Sequence, residues 1–202
     1  GGTGVFTVLS GLKEYPYDLA AIVTMADDGG STGVLREEFG ILPPGDVRRA
    51  LVALSSSDNK IVSELFHFRF DTNSSLHGHS LGNLLLTALA RITGGLPQAL
   101  KEAVTILNVK GEVIPVTLTK TKLHAELENG EIVEGESNID IPKHDPNLKI
   151  KKVYLDPVAS ANEDAARAIS EADFVILGPG DLYTSIIPNL LVQGIVPALQ
   201  KT

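Results

Sequence analysis

Apolar positions set the first prediction. Val5, Val8, Leu9 and Leu12 recur at helical spacing, so the glycine-rich Gly1–Gly4 reads as a turn that opens a helix. Leu19–Met25 is a short apolar run, which predicts a buried strand left through the loop Asp27–Gly30. Ser31 or Thr32 offers an N-cap for the short helix that follows. Pro43-Pro44-Gly45 breaks the chain, and Asp46 is an N-cap candidate for a helix through Val47, Leu51 and Leu54. Helices are also predicted over Lys60–Phe70, Ser80–Ile92 and Leu96–Leu107. Gly94-Gly95 parts the last two, and Pro97 sits in a first turn, where proline is tolerated.

The pattern then changes period. Val113–Leu118 is rich in β-branched residues. His124–Leu127 and Ile132–Glu134 flank Asn129-Gly130, a strong hairpin signal. The segment from about 123 to 137 carries Glu126, Glu128, Glu131, Glu134 and Glu136, and reads as an acidic, mobile hairpin outside the core sheet. Lys151–Leu155 predicts a strand, Glu163–Glu171 a helix, and Asp173–Leu177 a further buried strand. Gly178–Asp181 is the exit loop of that strand, and Ile186–Val192 begins another helix. Strand and helix alternate at both ends, which predicts an α/β fold with a mostly parallel sheet and an inserted β-hairpin, as a single domain over 1–202.

Composition narrows the function. The 202 residues include 17 Lys plus Arg against 25 Asp plus Glu, for a net charge of −8. That balance argues against broad binding to nucleic acid, which needs a basic face. Cys is absent, so no disulfide framework or thiolate chemistry exists, which fits a cytoplasmic protein. No apolar run reaches the roughly 18 residues of a membrane span. A glycine turn normally follows a strand, and none precedes Gly1, so a longer parent chain is expected.

Three loops share one grammar: Gly1–Gly4, Asp27–Gly33 and Gly178–Ser185. In an open parallel sheet, strand exits meet ligands at one end. Glycines allow close backbone approach, and helix starts present N–H groups to anions. A phosphorylated, nucleotide-like ligand is the expectation. The sequence has neither G-x-G-x-x-G nor a P-loop. Asp27-Asp28 would repel a phosphate unless a divalent cation such as Mg²⁺ bridges them, or one accepts from a ribose or base, or one acts as a base, or the pair only caps the turn. Arg48 or Arg49, behind Pro-Pro-Gly-Asp, offers a fork for a phosphate or for the Asp pair. His77 and His79 lie two apart without further zinc ligands nearby. His79, Ser80 and Asn83 at a helix start offer hydrogen bonds instead, and His67 and His124 read as structural or surface residues.

The motifs GGTG, MADDGGSTGVLR, PPGDVRRALVAL, GHSLGNLLL and GPGDLYTSIIPNLLV occur in that order. Together they resemble the bacterial gluconeogenesis factor family (YvcK type), which is related to the 2-phospho-L-lactate transferases. The resemblance implies a Rossmann-like three-layer fold and a UDP-sugar ligand such as UDP-N-acetylglucosamine or UDP-glucose. It implies a cytoplasmic regulator of cell shape and of growth on gluconeogenic carbon, with a partner in cell-wall synthesis, no nucleic acid and a homo-oligomeric state. The transferase relatives imply the alternative, a Mg²⁺-dependent phosphotransferase. Matched by motif, the implied ligand-binding residues are Gly2, Thr3, Gly4, Asp27, Asp28, Gly29, Gly30, Ser31, Asp46, Arg49, His79, Ser80, Asn83, Gly178, Gly180, Tyr183, Thr184 and Ser185, with Asp27 and Asp28 as candidate Mg²⁺ ligands. Asp181 departs from the Ser expected there, which weakens a direct phosphate contact at that position.

Overall fold

The computed structural model describes residues 2–56, 60–71, 73–142 and 145–202. Instead of the expected single domain, the chain divides into two compact units. One comprises Gly2–Ala21 and Gly29–Val113. The other comprises Ile22–Asp28 and Ile114–Thr202. The two short strands at the crossings are β1 (Ala20–Val23) and β2 (Glu112–Pro115). They run parallel: Glu112 N–H donates to Leu19 O at 2.7 Å, and Val116 N–H donates to Val23 O at 2.8 Å.

The helical unit is built around α3 (Gly45–Leu54). Val47, Leu51, Ala53 and Leu54 of this helix are wholly buried. Removing a Leu side chain from water contributes about 1.5–3 kcal/mol, so this helix anchors the unit. The other helices are α1 (Gly2–Leu12), α2 (Gly30–Phe39), α4 (Lys60–His67), α5 (Leu81–Thr93) and α6 (Leu96–Leu107). Gly40 (φ 61°) and Gly94 (φ 88°) adopt the left-handed conformation that ends α2 and α5. Gly95 and Pro97 then start α6 as the sequence predicts. Two N-cap expectations differ. Gly29 caps α2 and Pro44 caps α3, which moves Ser31, Thr32 and Asp46 into first turns.

In the second unit, β3 (Lys122–Leu127) is the central strand of an antiparallel sheet, between β4 (Ile132–Glu134) and β5 (Ile150–Asp156). The hairpin forms as expected: Gly130 at φ 86° donates to Leu127 O at 2.9 Å. Its placement does not match the expectation of an excursion. Leu123, Ala125 and Leu127 are all but fully buried, while His124 and Glu126 face the other side, so the hairpin belongs to the core. Two of its five glutamates are matched: Lys122 Nζ lies 2.6 Å from Glu134 and Lys151 Nζ 2.6 Å from Glu126, which holds both carboxyls below their ordinary range. The helices α7 (Glu136–Asp140), α8 (Glu163–Ser170), α9 (Ile187–Leu190) and α10 (Ile195–Leu199) complete this unit. A π-helical turn, Leu182–Ile186, precedes α9.

The α/β class holds, although among the described residues the parallel pairing of strands is that of β1 with β2, with one isolated parallel bridge between Ser160 and Gln193. Asp173–Leu177 is not the buried strand that its composition suggests. It pairs with no strand among the described residues, and Phe174 is 91% exposed. No helix among the described residues is long and apolar enough to cross a membrane.

Two outcomes test this architecture. Leu123→Ala should cost about 2–5 kcal/mol in a denaturant titration, the range for a core truncation. A loss near zero would return the hairpin to the surface. The ring of His67 meets Phe6 edge-on at 5.5 Å, and partial desolvation, followed by the charge of Arg48, lowers its pKa from 6.5. A lowered folded-state pKa means that the unfolded chain binds the proton first as pH falls. Stability should therefore drop modestly below about pH 6.5, since the ring is largely exposed, and His67→Gln should flatten that limb of the profile.

Candidate functional site

A chain of polar side chains runs through the helical unit. It begins at Arg48, a cation only 5% exposed on α3. Its Nε donates to Asn83 Oδ1 at 2.9 Å, and a terminal nitrogen donates to the carbonyl of Phe66 at 3.1 Å. Asn83, 2% exposed in the first turn of α5, donates through Nδ2 to Ser31 Oγ at 3.3 Å. Ser31 Oγ in turn lies 3.0 Å from His79 Nδ1. Arginine only donates, so it fixes which end of the Asn83 amide faces Ser31.

Local structure places each member. His79 and Ser80 follow a loop closed by Phe70 N–H to His79 O at 3.0 Å and Gly78 N–H to Phe70 O at 2.8 Å. Ser80 is the N-cap residue of α5, but its hydroxyl donates to the Phe66 carbonyl at 3.4 Å and not to its own helix. Gly82 is required by packing: a Cβ there would lie 2.5 Å from Phe66 O and 2.6 Å from Arg48 Cδ. The start of α2 has a glycine N-cap and no capping side chain, and Gly30 (φ 45°) has open space around it. Backbone N–H groups at such a helix start suit an anion.

In the second unit, Asp28 has a structural partner 108 residues away in sequence. Its Oδ2 accepts from Glu136 N–H at 3.1 Å and its Oδ1 from Ser137 N–H at 2.9 Å, so it caps α7. The preceding Gly135 (φ 95°) leaves room for it, since a Cβ would lie 2.6 Å from Asp28 Oδ2. Both oxygens of Asp28 are thus engaged by backbone donors, which suits a cap better than a Mg²⁺ ligand. Among the described residues, no three His, Cys, Asp or Glu side chains gather as a metal site. Asp27, half-buried, keeps its place in the loop. In the last glycine loop, Asp181 O accepts from the N–H groups of Ser185 and Ile186 at 2.9 and 3.0 Å. A Cβ on Gly180 would meet Ser185 Cβ at 2.8 Å. Thr184 is 4% exposed, and its hydroxyl has no hydrogen-bond partner among the described residues, while Tyr183 is 39% exposed.

The structure therefore brings together Ser31, His79, Ser80 and Asn83 of the expected set. Of the two arginines, Arg48 meets Asn83, whereas the Arg49 side chain is 41% exposed and pairs with Asp46 at 3.6 Å. Neighbouring helix positions point about 100° apart, and position 48 falls on the buried stripe of α3. Gly2, Thr3 and Gly4 form the first turn of α1, with Thr3 exposed; Gly1 lies outside the described residues. Sequence reasoning missed Gly82 and the Phe66 carbonyl, and only the Gly beside Asn83 in the sequence hinted at the tight fit.

Comparison with known proteins places the chain in a family. The profile of the family described as 2-phospho-L-lactate transferase CofD matches residues 1–202. The chain is 48% identical to a gluconeogenesis factor of Halalkalibacterium halodurans, over all of this chain and 62% of that protein. It is 49% identical to a gluconeogenesis factor of Bacillus subtilis, over 96% of this chain and 60% of that one. A crystal structure from Bacillus halodurans, described as a member of the UPF0052 family, superposes with a TM-score of 0.93 at 48% identity, over all of this chain and 64% of that one. The chain thus spans less than two thirds of the length of these relatives.

Asp28→Ala should lower stability by about 1–2 kcal/mol in chemical denaturation, the cost of a lost helix cap. Asp28→Asn, which keeps one acceptor, should lose less. Equal stability of all three proteins would remove Asp28 from this role.

Proposed function

Because the chain belongs to the 2-phospho-L-lactate transferase CofD family, on its gluconeogenesis-factor branch, we propose that it binds a nucleotide sugar, UDP-N-acetylglucosamine or UDP-glucose, as part of a regulatory protein. In this reading the bound nucleotide reports carbon supply. The regulated output is cell shape and growth on gluconeogenic carbon, reached through a protein partner in cell-wall synthesis. The observation that carries it is the glycine-capped start of α2 with Ser31 held by Asn83 and the buried Arg48 behind it. A helix start without a capping side chain and a hydroxyl suit a diphosphate, and the buried cation, two hydrogen bonds further in, orients that hydroxyl through Asn83.

One observation favours a second reading, a Mg²⁺-dependent phosphotransferase resembling 2-phospho-L-lactate transferase. Ser31 and His79 stand at 3.0 Å, the reach of proton transfer. Calorimetry separates the two. Titration with UDP-N-acetylglucosamine, UDP-glucose, GDP and 2-phospholactate, each with and without Mg²⁺, should give binding of a UDP-sugar alone if the regulator is right. Binding of GDP and 2-phospholactate together, dependent on Mg²⁺, would favour the transferase. Ser31→Ala should weaken the UDP-sugar about tenfold, the loss of one charge-assisted hydrogen bond. Unchanged affinity would move the diphosphate away from α2.

A further inference from the structure

We propose that Ser31 and His79 are a nucleophile–base pair that attacks phosphorus, so that the site reacts with its nucleotide sugar as well as holding it; the identity of that substrate rests on the reading above. The direction of the hydrogen bonds carries the inference. Arg48 donates to Asn83 Oδ1, which leaves Asn83 Nδ2 to donate to Ser31 Oγ. In the proposal His79 is the neutral tautomer unprotonated at Nδ1, so that the Ser31 hydroxyl donates to that nitrogen, 3.0 Å away. One feature of a reactive serine is thereby present, a base on its proton, and the Asn83 amide at 3.3 Å orients the hydroxyl toward that base. The buried Arg48 fixes the Asn83 amide in turn, so the hydroxyl is held in one orientation. A Cβ on the preceding Gly30 would meet nothing within 4 Å, and α2 starts without a capping side chain.

The step balances as follows. Ser31 Oγ bonds to the β-phosphorus of the nucleoside-diphosphate sugar, and the bond from that phosphorus to the bridging oxygen breaks. The Ser31 proton passes to His79 Nδ1 and then to the departing nucleoside monophosphate. The sugar 1-phosphate is left as a phosphodiester on Ser31; water, with its proton taken by His79, then bonds to that phosphorus, the Oγ–P bond breaks, His79 returns the proton to Oγ, and the sugar 1-phosphate leaves.

An electrophile that needs no nucleotide pocket tests the pair. The full-length protein is incubated with diisopropyl fluorophosphate, in which Oγ–P forms and P–F breaks, and the peptides are weighed. The expected result is an adduct on Ser31 formed at least about tenfold faster than on the exposed Ser74. It should be absent in Ser31→Ala and slowed about 100-fold in His79→Gln. Equal labelling of Ser31 and Ser74 in the unmutated protein overturns the proposal, and so does a His79→Gln protein, folded by its melting curve, that is labelled at the original rate. If His79→Gln does not fold, the Ser31 to Ser74 ratio decides alone. A protein that binds UDP-N-acetylglucosamine by calorimetry but leaves Ser31 unlabelled loses the reactive pair and keeps the binding site.

Discussion

A guanidinium taken out of water has to be met by acceptors, and Arg48 imposes that demand on the whole helical unit. An unmet buried charge would cost several kcal/mol. The structure meets it with the side chain of Asn83 and the carbonyl of Phe66. Three consequences follow. The end of α4 must present a carbonyl, so Phe66 is both apolar core and polar acceptor. The α5 helix must come close, so position 82 admits no side chain. The amide of Asn83 can face only one way, which settles what Ser31 receives. A Lys at position 48 would supply a charge without the fork, and the Phe66 and Asn83 acceptors would no longer be served together.

The second unit solves a similar problem with the opposite charge. A short helix such as α7 gains little from its own propensity, since one turn fixes many dihedral angles for few bonds. Asp28 supplies acceptors for two N–H groups at its start. The carboxylate is favoured there by the partial positive charge of the helix end. Two adjacent aspartates after a strand therefore need not both face a ligand. One of them ties the loop that follows β1 to the segment that follows the β3–β4 hairpin.

Much of this was legible in the sequence where the signal is local. The limits of α6 were readable because Gly94, Gly95 and Pro97 punctuate the chain at both sides of the joint. The hairpin turn was readable from Asn129-Gly130. Its burial was also written there, in the alternation of Leu123, Ala125 and Leu127 with polar residues, but five glutamates in the same stretch outweighed it. What was not legible depends on residues distant in sequence. Nothing near Asp28 announces α7, and nothing near Arg48 distinguishes it from Arg49 until the buried face of α3 is known. Asp173–Leu177 shows the converse: an apolar composition predicts burial only if a neighbouring strand pairs with it.

The candidate site was legible as a set of residue types and illegible as a chain. Ser31, His79 and Asn83 stood out as polar residues at helix starts, each explicable alone as a cap. The structure shows that neither Ser31 nor Ser80 caps its own helix: one turns to His79 and Asn83, the other to Phe66. Such residues forgo a local bond worth about 1 kcal/mol. At both helix starts the serine side chain is turned to partners outside its own helix, and the first N–H of α5 is met by the Phe68 carbonyl at 2.9 Å. Arg48 makes that arrangement stiff, because it couples the orientation of Ser31 to the packing of the core. The polar chain is therefore set when the core folds and need not be assembled when a ligand arrives.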